Sequence, residues 1–126
     1  MHVTQPVSLA IVFCSLAGFD GVAMAQDTAA GEQVFRKNCS LCHTVQAGVN
    51  QQGPSLFGVV GRPSASVPGY NYSQADDAAK LTWTKETLDL YLISPHKVIP
   101  GTKMPFAGLR SDADRQNVIA YLATLH

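Results

Sequence analysis

The sequence has little charge, and no excess of either sign: nine lysines and arginines stand against nine aspartates and glutamates, and charged residues make up 14% of 126 positions. Without a basic excess or cluster it lacks the electrostatic footprint of extensive nucleic-acid binding. Cysteine is scarce, at three, too few for a miniature fold framed by several disulfides. The main apolar run, Val7 to Phe19, covers 13 positions broken by Ser8, Ser15 and Gly18, too short to cross a bilayer. No strand-like alternation, internal repeat or low-complexity linker is found. The length allows one domain with a modest core, leaving little room for both a fold and a large cleft. Something other than side chains is expected to fill its middle.

The apolar run is followed by Ala23-Met24-Ala25, a small-x-small cleavage pattern, which predicts an export signal over residues 1–25 and a mature domain over residues 26–126. No Lys or Arg precedes the run, which is off pattern, and a retained buried or anchoring helix is the alternative. Cleavage removes Met1, His2, Cys14 and Met24. It leaves two cysteines (Cys39, Cys42), one methionine (Met104) and three histidines (His43, His96, His126).

Asp27 is placed to cap a helix over residues 28–42, with Ala30, Val34 and Phe35 at helical spacing and Gly31 leaving a close-approach gap. Ser111 with Asp114 is a capping-box-like start for a last helix, in which Val118, Ile119, Leu122 and Leu125 repeat on one face. Thr84 opens a third helix with Leu88, Tyr91 and Leu92 on one face, stopped by Pro95. A short helix is predicted from Ser73 to about Ala79. Between Thr44 and Tyr72 there is only turn chemistry, including Gly53-Pro54, Gly61, Pro63 and Pro68-Gly69. So long a loop is unusual in a small domain. Its apolar residues (Leu56, Phe57, Val59, Val60, Val67) need something to pack on, and a large buried prosthetic group would provide it.

Cys39-Ser40-Leu41-Cys42-His43 is C-x-x-C-H, the attachment pattern for c-type haem. Two thiols one helical turn apart reach the two vinyl groups of one porphyrin, and the adjoining His43 is then held under the iron as an axial ligand. A thioredoxin-like dithiol needs a strand-to-helix setting that is missing, and structural zinc needs four clustered ligands. For the sixth iron position a soft thioether is suited, and Met104 lies in a proline-rich loop, Pro100 to Phe106. His96, Lys97 and Lys103 are its rivals, and core filling is the ordinary role of a lone methionine.

With these residues in place, the sequence resembles the class I cytochrome c family, in particular its mitochondrial-type branch and small soluble bacterial relatives, over essentially all of residues 26–126. Gly31 and Phe35 resemble the first-helix residues that pack on the last helix, where Tyr121 resembles the aromatic partner. Gly53-Pro54-x-Leu56-x-Gly58 is similar to the loop whose proline carbonyl orients the axial histidine, which implies that role for Pro54. Arg62, Tyr72 and Trp83 match positions around the haem propionates. Tyr91 matches a tyrosine near the methionine sulfur, and Thr102 a loop hydroxyl near a propionate. Asp76 stands where the family often has an amide or small hydroxyl, and no role is carried onto it. The family's lysine cluster is thin: Lys37, Lys97 and Lys103 remain, while Asn38 and Val98 occupy other matching places.

The resemblance implies an all-α cytochrome c fold, with three main helices, short helices and long loops wrapped around one covalent haem c and its iron. His43 and Met104 would be the axial ligands and Cys39 and Cys42 the thioether attachments. It implies an exported, monomeric one-electron carrier of the bacterial periplasm, not an enzyme. Its partners would be redox proteins of a respiratory chain: a quinol-oxidising complex, an oxidase, a reductase or a dehydrogenase, with only transient contacts to membrane complexes. A haem subunit of a larger oxidoreductase is one alternative. A haem peroxidase or gas-binding protein is another, if Met104 does not ligate iron.

Overall fold

In the computed structural model, which describes residues 26–126, each helix expected from the sequence starts at its expected cap. The export signal over residues 1–25 lies outside the described residues. Helix α1, Thr28–Asn38, is capped by the Asp27 carboxylate, which accepts from the Ala30 amide at 3.0 Å. Helix α2, Gln74–Ala79, starts at Ser73, whose hydroxyl accepts from the Asp76 amide and donates back to the Asp76 carboxylate at 2.6 Å. Thr84 caps α3, Lys85–Ile93, and Ser111 caps α5, Asp112–Ala123. Each cap satisfies an amide that the helix itself leaves unpaired.

Two boundaries differ from the sequence reading. Helix α1 ends at Asn38, not Cys42, because both the Cys39 and Ser40 amides turn back to the Phe35 carbonyl. The thiol spacing of one turn survives in a tighter turn, where the amides of Cys42 and His43 both bond the Cys39 carbonyl, at 3.1 and 2.9 Å. Pro95 ends α3 as expected but also opens a further short helix, α4, Pro95–Val98. Proline suits a first helical position, where its missing amide proton costs nothing. Among the described residues there is no strand, only an isolated antiparallel bridge between Pro63 and Thr82.

Helix α1 packs across α5, and α3 packs on α5 and α4. At the first crossing the aromatic rings of Phe35 and Tyr121 lie 5.9 Å apart. Gly31 permits the approach: a Cβ there would lie 2.0 Å from the Asn117 carbonyl oxygen. Val118, Ile119 and Leu122 of α5 are buried with Phe35, Leu88 and Leu92, and each such side chain contributes about 1.5–3 kcal/mol. The long loop is tied by its own polar side chains. Thr44 Oγ1 donates to the Val49 carbonyl at 2.6 Å, Ser55 Oγ to the Gln46 carbonyl at 2.6 Å, and Asn50 Nδ2 to the Pro68 carbonyl at 3.0 Å.

Arg115, which the sequence reading did not single out, is 7% exposed on the first turn of α5. Its Nε donates to Asp89 of α3 at 2.8 Å and its Nη2 to Asp112 at 2.6 Å, while Nη1 donates to the carbonyls of Leu109 and Arg110. The segment after Met104 is thereby fastened to two helices. Replacing Gly31 by Ala is expected to lower the unfolding free energy of the intact protein by about 1–3 kcal/mol, because the overlap with backbone outweighs the gain of about 1 kcal/mol in helix propensity. Urea unfolding checks this; unchanged or increased stability would show that the crossing can widen freely.

Candidate functional site

A cavity of about 670 Å³ opens between the helices and the long loop. Its walls are largely apolar, with Leu56, Val59, Leu88, Leu92, Val118 and Leu122 among them. The chemistry-bearing residues read from the sequence converge on it: Cys39, Cys42, His43, Pro54, Arg62, Tyr72, Trp83, Tyr91, Thr102 and Met104 all contribute to its lining. His96 and Lys97, rivals of Met104 from the sequence, are exposed on α4 and do not line it. Lys103 does, but its ammonium donates to the Asn71 carbonyl and lies over the Tyr70 ring.

The turn after α1 delivers Cys39, Cys42 and His43 to the cavity together. Both thiols are free. Burial, with the neighbouring Cys42 adding to it, pushes the Cys39 thiol up to about 11. A reactive dithiol works through a depressed thiol pKa, so this environment does not suit thioredoxin-like exchange. Cys42 Sγ lies 3.3 Å from Gln52 Oε1, a contact that no motif announced.

His43 Nδ1 lies 2.8 Å from the Pro54 carbonyl, which only accepts, so Nδ1 carries the proton and Nε2 keeps its lone pair. Burial holds the imidazole below its ordinary pKa, against the opposing pull of the Pro54 carbonyl. A neutral imidazole with a fixed tautomer is what a metal ligand requires. Gly53 closes the space behind it: a Cβ there would lie 2.3 Å from His43 Cε1. Met104 enters the lining from the irregular segment after α4. The Tyr91 hydroxyl donates to its sulfur at 3.3 Å, and the Thr102 hydroxyl accepts from its amide at 3.4 Å. Burial raises the Tyr91 pKa, so its hydroxyl stays protonated and able to donate.

Arg62 and Trp83 are held side by side by the Pro63–Thr82 bridge, with the Trp83 amide donating to the Arg62 carbonyl at 2.9 Å. The Arg62 guanidinium donates to the Phe57 and Ser55 carbonyls, at 2.9 and 3.1 Å. Its Nε is buried with no partner. Burial lowers the pKa of this group, yet a guanidinium remains charged, so a half-buried cation without a carboxylate partner among the described residues faces the cavity. Tyr72 accepts the Val67 amide at 3.1 Å, which leaves its own proton free to donate. Asp76 also lines the cavity, its carboxylate engaged by the Ser73 hydroxyl.

These features fit a haem. The cavity is large and apolar-walled, two thiols and an imidazole arrive on one turn, a thioether lies in the same lining, and an unpartnered guanidinium donor and a free phenol suit carboxylate groups. Replacing Arg62 by Leu is expected to cost about 1–3 kcal/mol of unfolding free energy by orphaning the Ser55 and Phe57 carbonyls. A shift of the urea midpoint measures it; no shift would mean that other donors or water replace the guanidinium.

Comparison with known proteins agrees with this geometry. Residues 28–126 match the family model described as Cytochrome c. The chain is 46% identical over 99 residues to the cytochrome c of Euglena viridis, an alignment covering 79% of this chain and 97% of that protein. It is 46% identical over 105 residues to cytochrome c2 of Rhodopila globiformis, covering 83% and 99% respectively. Among solved structures, cytochrome cH from Methylobacterium extorquens superposes with a TM-score of 0.73 at 40% identity, covering 78% of this chain and 98% of that one. The chain belongs to the cytochrome c family, whose members are electron-transfer proteins rather than enzymes and carry one covalently bound c-type haem with its iron.

Proposed function

We propose that Cys39 and Cys42 form the two thioether bonds to the haem and that His43 and Met104 are its axial ligands. The observation that carries this reading is the convergence of both thiols, the His43 imidazole and the Met104 sulfur on the lining of one cavity. The haem supplies a centre that gains and loses one electron. The chain's own residues set the conditions. Pro54 holds the His43 proton on Nδ1 and leaves Nε2 for the iron. Tyr91 steadies the Met104 sulfur, and Thr102 steadies the backbone that carries it. Arg62, Tyr72 and Trp83 meet the propionates, with the unpartnered Arg62 Nε as the donor in reserve.

With both axial positions taken by side chains, none remains for a substrate, in keeping with a carrier's role. A soft thioether favours the reduced state and raises the potential. The carrier is exported under the direction of residues 1–25, works in the bacterial periplasm as a monomer, and passes electrons between respiratory partners such as a quinol-oxidising complex and an oxidase, reductase or dehydrogenase. Its encounters are brief.

Expression with a haem-attachment system, followed by denaturing electrophoresis and a haem-peroxidase stain, is expected to leave haem on the chain. Loss of stain would remove the thioether assignment. Met104→Ala is expected to keep the stain, abolish the weak far-red band of methionine-ligated ferric haem, admit imidazole to the sixth position and lower the potential. An unchanged spectrum and potential would place the ligand elsewhere.

A further inference from the structure

Among the described residues Asp76 is the single carboxylate on the cavity lining, and neither the iron ligands nor the propionate contacts use it. It is half-buried on α2, three residues past the Ser73 cap. The Ser73 hydroxyl donates to Asp76 Oδ2 at 2.6 Å and accepts from the Asp76 amide at 3.0 Å, which fixes where the side chain stands. The helix rests against the segment that carries Met104, since a Cβ at Gly101 would meet Ala75 Cβ at 3.2 Å. Asp76 makes no ion pair among the described residues. The charged and titratable groups that share its cavity are Arg62 and Tyr72 from the long loop, Tyr91 from α3, Lys103, and the turn with His43 and the two thiols. Arg62 donates to the Ser55 and Phe57 carbonyls and Lys103 to the Asn71 carbonyl, so neither cation is bonded to Asp76. Beside it on α2, Asp77 and the C-cap Lys80 are exposed to solvent. The charge of Asp76 nevertheless reaches across the cavity: burial raises the pKa of Tyr72 and of Tyr91, and Asp76 adds to the rise in both.

We propose that Asp76 is a proton-binding site linked to the electron: its carboxyl takes up a proton when the haem is reduced and returns it on oxidation. Reduction lowers by one the positive charge inside a largely apolar cavity, so a carboxylate on the cavity wall becomes harder to keep ionised, and a proton restores the balance. In the ferric state the extra positive charge favours the carboxylate again. One electron comes from the redox partner and one proton from bulk water, the new O–H bond being the only one formed. The half-buried position leaves the carboxyl a solvent side through which the proton arrives. The Ser73 hydroxyl can donate to the carboxylate or accept from the acid, and so holds either form without backbone motion. A carrier built this way gives up its electron more readily in alkaline surroundings. The inference rests on the reading that places the haem in this cavity.

The test is the reduction potential of the holoprotein, followed by spectroelectrochemistry from about pH 4 to about pH 9. The ferrous protein is expected to hold the proton about tenfold more tightly than the ferric, read as a potential that falls by about 59 mV in all as pH rises. Asp76→Asn removes the charge while keeping an acceptor for the Ser73 hydroxyl. It is expected to lose most of that fall and to stay near the wild-type value found at acid pH. Asp77→Asn removes the same charge from the next residue, which is exposed and outside the lining, and is expected to keep the wild-type fall. Infrared spectra of the wild type, reduced minus oxidised, are expected to gain a protonated-carboxyl band. Isotopic labelling of the aspartate side-chain carboxyls is expected to move that band, whereas a propionate band would stay in place; this measurement needs no variant to fold. A wild-type potential flat in pH, a fall that survives Asp76→Asn or is lost equally in Asp77→Asn, or a band indifferent to the label would overturn the proposal. A chain that retains no haem overturns the site assignment instead, and is recognised by the stain before any potential is measured.

Discussion

Apolar side chains from α3, α5 and the irregular segments face one another across about 670 Å³, and the rest of the molecule is arranged around that separation. A dry cavity of this size costs on the order of 15 kcal/mol at the rate found for apolar cavities, an upper figure for one open at its mouth. A whole domain has only about 5–15 kcal/mol of net stability. The haem that members of this family carry is therefore part of the core as well as the redox centre. This accounts for the long segment without periodicity between Thr44 and Tyr72: its shape follows a cofactor surface, so neither a helical nor a strand repeat is imposed on it.

Buried Arg115 and half-buried Arg62 meet the loss of solvent in different ways. Arg115 is saturated, with carboxylates from Asp89 and Asp112 and two backbone carbonyls around one guanidinium. Arg62 is left one donor short, beside the cavity. Saturation fits a structural tie, since a fully paired buried ion holds its neighbours in one arrangement. An unpaired donor fits a binding group, since the desolvation cost is offset only when an acceptor arrives.

Much of this was legible in advance because the signals were local. Caps at Asp27, Ser73, Thr84 and Ser111 act within one turn, and the C-x-x-C-H spacing is itself a covalent geometry. The resemblance added the roles of Pro54, Arg62 and Tyr91, and the structure brings all three into the lining of one cavity. What sequence patterns missed depended on distant pairs. Arg115 finds Asp89 across 26 positions, visible beforehand only as a charged residue on an otherwise apolar face. Gln52 meets Cys42 through a loop with no periodicity to betray it. The early end of α1 turned on two amides sharing one carbonyl, a choice that spacing rules do not resolve. Pro95 read as a terminator because proline stops one helix by the same chemistry that starts the next.

The segment that carries Met104 is pinned at both ends. On one side the Ile99 and Thr102 amides tie back to the Pro95 and Ile99 carbonyls. On the other, the Leu109 amide bonds the Leu92 carbonyl at 2.7 Å and Arg115 grips the Leu109 and Arg110 carbonyls. A strap clamped this way has little freedom to adopt one shape for each oxidation state. On the proposed ligation the iron's surroundings then change little when an electron arrives, so the reorganisation energy is small and the barrier to transfer is set mainly by how close a partner can come.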